Sequence, residues 1–430
     1  MNMTNLKKWV ALLLAVMMMI SMTAVAFAEA PVTIRFSWWG GNSRHEATEA
    51  AVAAFMQKYP HITVECEYGA WDGWTEKVAT QLNAGTAPDL MQFNWNWIYQ
   101  FSGDGSKLAD VSKLDVDLSG YPKAIVDQCF VAGKQQAVPI STTGKCFFWN
   151  KTTFDKAGIA LPQTFEDLYA AGKIFEEKLG DDYYPLAMYQ YERVLLMLYY
   201  LETKYGKNWV VDGEIQYTLE EVKEGLDWIC SLEDMHVLPT ISRLQGDGAT
   251  ILEKNINWAN GKYAGFYEWD SANNKFKEAL EPGQEFVLGA FLTGNGEYEG
   301  GLTKISQTYA ITEASQNKEA AALLLNYLLN DAEGISIVKT ERGIPANSKA
   351  TEVLEAQGVF DGNLTYDANK AVMAVANFSF DPNFEHSELK DSTGIYYEVM
   401  ENISADHSCT EEMAQYLMEE IERIQMENPY

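Results

Sequence analysis

Val32, Ile34, Phe36 and Trp38 alternate with polar residues, the period of a strand with one buried face, and Gly40-Gly41 ends the run. Val52, Phe55, Met56 and Tyr59 then recur at helical spacing behind Ser43-x-x-Glu46, which reads as a capping box. Ile62, Val64, Cys66 and Tyr68 alternate again, and a second helical stretch runs from about Trp71 to Leu82 before Gly85. Pro88-Asp89 leads into a third short apolar run. Strand, helix, strand, helix, strand at these lengths predicts parallel βαβ units, hence an open α/β sheet with helices on both faces. Such a sheet holds ligands beyond the carboxyl ends of its strands.

From about Phe147 the pattern becomes helix-rich. Thr164-x-x-Asp167 and Thr218-x-x-Glu221 mark helix starts, and Val194 to Tyr205 reads as an apolar helix. Tyr263 to Tyr267 is strand-like and leads to Trp269. Asn317 precedes a helix rich in Ala and Leu, and Met413, Leu417, Ile421 and Ile424 mark one face of a terminal helix. No repeat or low-complexity linker separates the halves, so two domains here imply a chain that crosses between them several times. At the other end, Lys7 and Lys8 precede an apolar run from Val10 to Ile20 and the A-x-A site Ala26-Phe27-Ala28. That is the layout of a secretory signal peptide over residues 1–28, with a run too short to span a bilayer.

Charge narrows the function. The chain of 430 residues carries 61 acidic and 32 basic side chains, a net of −29, and loss of Lys7 and Lys8 brings it to −31. A surface this acidic repels phosphate backbones, which excludes nucleic acid as a partner. Cys66, Cys129, Cys146, Cys230 and Cys409 form no C-x-x-C pair, so buried free thiols are expected. The five histidines are scattered, with no metal-ligand spacing, and no cofactor is expected. There is no G-x-S-x-G elbow and no phosphate loop, since Gly144-Lys145 is followed by Cys146. Asp361, Asn363, Thr365 and Asp367 imitate a calcium loop, but Tyr366 stands where that loop needs Gly and Val372 where it needs Glu. Among so many carboxylates some pair always lies at glycosidase spacing, so a secreted glycoside hydrolase is the alternative from the enzyme classes.

Aromatics beside hydrogen-bonding residues are the positive signal. Trp38-Trp39-Gly40-Gly41-Asn42-Ser43-Arg44 lies where the first strand gives way to the first helix, and Phe93-Asn94-Trp95-Asn96-Trp97 follows the third strand. Sugar rings present a C–H face and a fringe of hydroxyls, which calls for aromatic planes with Asn, Asp, Glu or Arg beside them. Read blandly, the aromatics from Phe93 to Phe101 are one buried strand face. Trp39, Asn42, Arg44 and Trp71 join the candidate ligand set.

The order of motifs resembles the extracellular solute-binding proteins of the maltose-binding type. The resemblance rests on Trp38-Trp39-Gly40-Gly41, Gly85-Thr86-Ala87-Pro88-Asp89, Val138-Pro139-Ile140, Trp149-Asn150-Lys151 and Gly158 to Leu168. Asn260-Gly261-Lys262, Ser315 to Ala321 and Gly343 to Asn347 extend it over almost all of the mature chain. It implies an α/β fold of two lobes, each a mixed or parallel sheet flanked by helices, joined by a multi-crossing hinge. The lobes would comprise residues 29–141 with 302–343, and 144–299 with 346–430, with crossings near 142–143, 300–301 and 344–345. The implied activity is capture of a neutral oligosaccharide without chemistry and delivery to an ABC permease with its ATPase, by a monomer. An adhesive or chemosensory surface protein is a second alternative. By position, Phe93 and Trp269 fall at stacking aromatics, Tyr396 at another, and Asn96, Trp97 and Thr143 where an Asp, an Arg and a Glu are expected. Tyr189 to Glu192 falls near a Glu/Tyr ligand pair, Asp270 adds a nearby acid, and Met400 replaces an Arg, which argues against maltose itself. The protein is expected outside the cytoplasmic membrane, and with Cys66 the first cysteine it shows no lipobox.

Overall fold

The computed structural model describes residues 30–429 except 72, 376 and 377; the expected signal peptide lies outside the described residues. Strand β1 (Val32–Trp39), helix α1 (Asn42–Lys58), strand β2 (Ile62–Gly69), helix α2 (Trp74–Ala84) and strand β3 (Leu90–Asn94) form where the alternating and helical periods predict them. β1 pairs in parallel with both β2 and β3, so two right-sized βαβ units build the sheet. Helix α3 (Trp97–Ser102) follows β3 directly. The aromatics from Phe93 to Phe101 are therefore split between a strand end and a helix rather than lying on one strand face.

α1 starts differently from the expected capping box. Gly41 is the cap, extended at φ −91° and ψ 177°, with no side-chain bond. The helix begins at Asn42, so Ser43 falls inside its first turn and donates to Glu341 instead. The two threonine boxes do form: Thr164 caps helix α4 (Phe165–Leu179) with Asp167 returning the bond, and after helix α5 (Gln190–Tyr205) Thr218 caps helix α6 (Leu219–Asp234) with Glu221.

Strand β4 (Val138–Asn150) is the spine of the molecule, buried along all 13 of its residues. Its first half pairs with strand β7 (Leu302–Ile311), and its second half with strands β5 (Gly265–Trp269) and β6 (Phe286–Leu288). β7 continues the sheet by lying antiparallel to β3, so the order is β6-β4-β7-β3-β1-β2 and the sheet is mixed. A short strand β8 (Ile344–Pro345) also pairs with β4, at Thr142 and Ser141. At the waist, Thr142 is thus bracketed by Ile305 and Ile344. Gly144 permits this crowding, because a Cβ there would collide with Val372 of helix α9 (Leu364–Val375).

The apolar interior divides on either side of that waist. One core draws on residues 146–302 and 368–424, including helices α5, α6, α10 (Ile395–Asp406) and α11 (Glu411–Glu427). Two adjoining cores draw on residues 34–140 and 305–329, the last stretch reaching helix α7 (Lys318–Asn330). Helix α8 (Ala332–Val338) packs against α1 and α7. Residues 347–349, expected in the second lobe, bond to the first: Ser348 N donates to Gly120 O and Lys349 pairs with Asp117 at 2.7 Å. The Gly343 to Asn347 motif marks the crossing strand only, and the chain turns back onto its first lobe before leaving it. All five cysteines are free, Cys66 half-buried and the rest buried.

Candidate functional site

Three tryptophans meet at the carboxyl ends of three parallel strands. Trp39 closes β1, Trp71 follows β2 and Trp97 opens α3 just past β3. Trp39 lies 5.3 Å from Trp71 and 5.2 Å from Trp97, while Trp71 and Trp97 stack at 5.6 Å with planes 10° apart. Trp39 and Trp97 are buried, but Trp71 is 48% exposed. Phe93 is fully buried and supports Trp97 edge-on at 5.4 Å, so it is core and offers no surface to a ligand here. Asn42 is exposed at the head of α1, and Asn96 is half-buried at the cap of α3.

Arg44 turns back over this strand end. Its Nη1 donates to Trp39 O at 3.1 Å and its Nε to Glu341 O at 2.8 Å. Gly40 makes room, since a Cβ there would stand 2.5 Å from Arg44 Cδ. Burial, then the neighbouring charge of Arg342, brings the Arg44 guanidinium down to about 10. Arg342 itself is buried, with Nε donating to Gln92 Oε1 at 2.8 Å and Nη2 to Thr48 Oγ1 at 2.9 Å. Both arginines line a cleft of about 330 Å3 that is closed on its other side by Ser271, Asn274, Asn363 and Thr365. Those four belong to the second half of the molecule, so the cleft lies between the lobes.

The second wall begins where β5 ends. Trp269 is half-buried, with the ammonium groups of Lys145 and Lys304 at 4.6 and 4.7 Å from its ring centre and Phe380 at 5.6 Å. Lys145, fully buried, donates to Glu268 Oε1 at 2.6 Å, and Lys304 and Lys390 share Glu385. Those two ammoniums hold the Glu385 carboxyl well below its usual range against the opposing effect of burial. Glu192, in the first turn of α5, is pushed up by burial and by Glu268. With Tyr189, Glu268 and Tyr397 it borders a separate hollow of about 110 Å3. Tyr189 donates its hydroxyl to Ala249 O.

Asp270 is committed to the waist. Its carboxylate accepts from Thr143 Oγ1 at 2.5 Å and from Asn369 Nδ2 at 2.6 Å, which ties β4, the turn after β5 and α9 together. Burial raises this carboxyl to about 6. Tyr396 is fully buried beside Phe384 and Tyr191; it sits on the inward face of α10 and presents nothing to the cleft. Among the described residues no group of three or more His, Cys, Asp or Glu is placed to hold a metal ion, and no helix is long and apolar enough to cross a membrane.

The structure therefore gathers Trp39, Trp71, Trp97 and Arg44 on one wall, brings Thr143 and Asp270 together at the waist, and sets Trp269 on the other wall. Sequence reasoning missed Arg342, Lys145 and Lys304. Lys145 is marked in the sequence only by an incomplete phosphate-loop pattern, and Arg342 lies one residue before the Gly343 to Asn347 motif.

Comparison with known proteins agrees with this architecture. The family described as bacterial extracellular solute-binding protein matches residues 41–335. A periplasmic solute-binding protein from Pectobacterium atrosepticum is 34% identical, with 93% of this chain and all of that one covered, at a TM-score of 0.83. A periplasmic oligogalacturonide-binding protein from Yersinia enterocolitica is 31% identical over 93% of this chain and all of its own, at a TM-score of 0.84. That protein is also known in complex with saturated digalacturonic acid. A de novo designed cysteine esterase shares the fold, at 30% identity, a TM-score of 0.86, and coverage of 94% of this chain and all of its own.

Proposed function

Because the chain belongs to the bacterial extracellular solute-binding proteins, the receptors of ABC transporters, we propose that it captures an oligosaccharide between its lobes and delivers it to a membrane permease driven by an ATPase. The observation that carries this reading is the Trp39, Trp71 and Trp97 platform at three parallel strand ends, beside a cleft lined by hydroxyl, amide and guanidinium groups. Aromatic planes take the C–H faces of sugar rings and the polar groups take their hydroxyls. The relative from Yersinia bears the name of an oligogalacturonide binder, which favours a sugar over a peptide or an ion.

The moving bodies are the lobe built on residues 34–140 and 305–329 and the lobe built on 146–302 and 368–424, turning about β4, β7 and β8. A ligand touched by both walls favours the closed state, because only there do both sets of contacts exist. The chain's net charge of −29 acts against an anionic sugar only at long range, where salt screens it. The protein works as a monomer and leaves its ligand intact. Asp270 is held by Thr143 and Asn369 and Glu268 by Lys145, and Glu192 borders with Glu268 a hollow apart from the cleft, which supports capture over the two-carboxylate chemistry of a glycosidase. A thermal-shift screen against short oligosaccharides, followed by mass spectrometry of the bound sugar after prolonged incubation, tests the reading. A raised melting temperature with intact sugar is expected. Fragments whose release is abolished by Glu192→Gln would replace the receptor with a hydrolase.

A further inference from the structure

The chain has six arginines, and four of them have a carboxylate partner: Arg35 with Glu67, Arg193 with Glu233, Arg243 with Asp182, and Arg423 with Glu388, Glu420 and Glu427. Arg44 and Arg342 have none among the described residues, in a chain with nearly two acids for every base. They are also the two that adjoin each other at the interlobe cleft. The hydrogen-bond acceptors they do have, two backbone carbonyls, an amide and a hydroxyl, carry no formal charge. Arg342 Nη1 is buried without any partner. Glu341 lines the same cleft and its charge favours both guanidiniums, but its carboxylate accepts from Ser43 and forms no ion pair with either arginine among the described residues.

A buried guanidinium beside a half-buried one, with Glu341 the single carboxylate lining their cleft and no ion pair to it among the described residues, is expensive unless an anion completes the pair. We propose that Arg44 and Arg342 form a carboxylate-binding subsite on the first wall of the cleft, and that the ligand is an oligosaccharide bearing uronic acid residues. The inference rests on the receptor reading above and names its sugar class. A carboxylate suits the planar fork of a guanidinium. The hydroxyl and amide groups of Ser271, Asn274, Asn363 and Thr365 across the cleft suit the sugar that carries it. At about 330 Å3 the cleft is at the lower end of small-molecule sites, enough for a ring or two. With two guanidiniums and one carboxylate, Glu341, on its lining, the cleft's local charge runs opposite to that of the whole chain, which acts from farther away and is screened by salt.

The test is titration calorimetry of the mature chain with trigalacturonate, its fully methyl-esterified form and maltotriose. The free acid should bind roughly tenfold or more tighter than its ester, with the difference shrinking as sodium chloride is raised. Arg44→Gln should weaken binding of the acid more than that of the ester, bringing the acid-to-ester ratio towards one, and Arg44→Lys should restore part of the ratio. The ratio separates charge recognition from damage to the loop, which would weaken both forms alike. If Arg342→Gln fails to fold, the Arg44 pair still decides. Equal binding of acid and ester, or an equal loss of both in Arg44→Gln, overturns the subsite while the receptor reading stands. Binding of maltotriose alone does the same. Binding of none of the three overturns both.

Discussion

Trp71→Ala should weaken oligosaccharide binding about tenfold while leaving the fold in place. A tryptophan side chain presents up to about 250 Å2, and Trp71 is 48% exposed, so on the order of 120 Å2 faces solvent. At about 25 cal/mol per Å2, covering all of it would contribute ~3 kcal/mol. One ring face is already stacked on Trp97, so a sugar covers about half of what remains open, ~1.5 kcal/mol, or about tenfold in Kd. Trp97 is the control. Only 3% of it is exposed, and its removal should cost ~3–5 kcal/mol of folding stability as a core truncation. Calorimetry gives the affinity of each variant, and urea denaturation gives its stability. If Trp71→Ala binds its sugar within twofold of the parent and melts like it, the platform is packing alone and the ligand lies elsewhere.

Trp269→Ala should also weaken binding, by ~2 kcal/mol if the ring anchors sugar. Unchanged affinity in the folded variant would make Trp269 only a support for Lys145 and Lys304. Asp270 gives a pH prediction. Its carboxyl is raised from 3.8 to about 6 in the folded state, so the folded protein holds the extra proton between those values, and stability falls as pH rises through that window. The full effect is at most ~3 kcal/mol above pH 6. Asp270→Asn cannot titrate, so its stability relative to the parent should rise between pH 4 and about 6, on top of a constant offset from altered bonding to Thr143 and Asn369. A difference that is flat with pH in urea denaturation would contradict the assignment.

How far the sequence carried these conclusions depended on the range of the interaction. β1 to β3 and their helices follow from residues at most a few positions apart, which is why the periods located them. The Trp39, Trp71 and Trp97 gathering was partly legible too, because parallel βαβ units bring successive strand ends to one edge of a sheet. Two other features needed the folded chain. Arg44 meets Glu341 across 297 positions, so nothing near Arg44 announces Arg342. The start of α1 differs from the Ser43 capping box because Gly41 adopts its extended cap conformation without a side-chain bond, which leaves no Ser or Glu signature in the sequence. Phe93 and Tyr396 were matched by residue type and place in the chain, and neither reveals whether a ring faces a cleft or a core.

Small-angle scattering of the mature chain, with and without a saturating oligosaccharide whose binding is established by calorimetry, tests capture between two lobes most directly. Closure about β4, β7 and β8 predicts a smaller radius of gyration in the bound state, with the mass still that of one chain. An unchanged radius with the ligand demonstrably bound would contradict it.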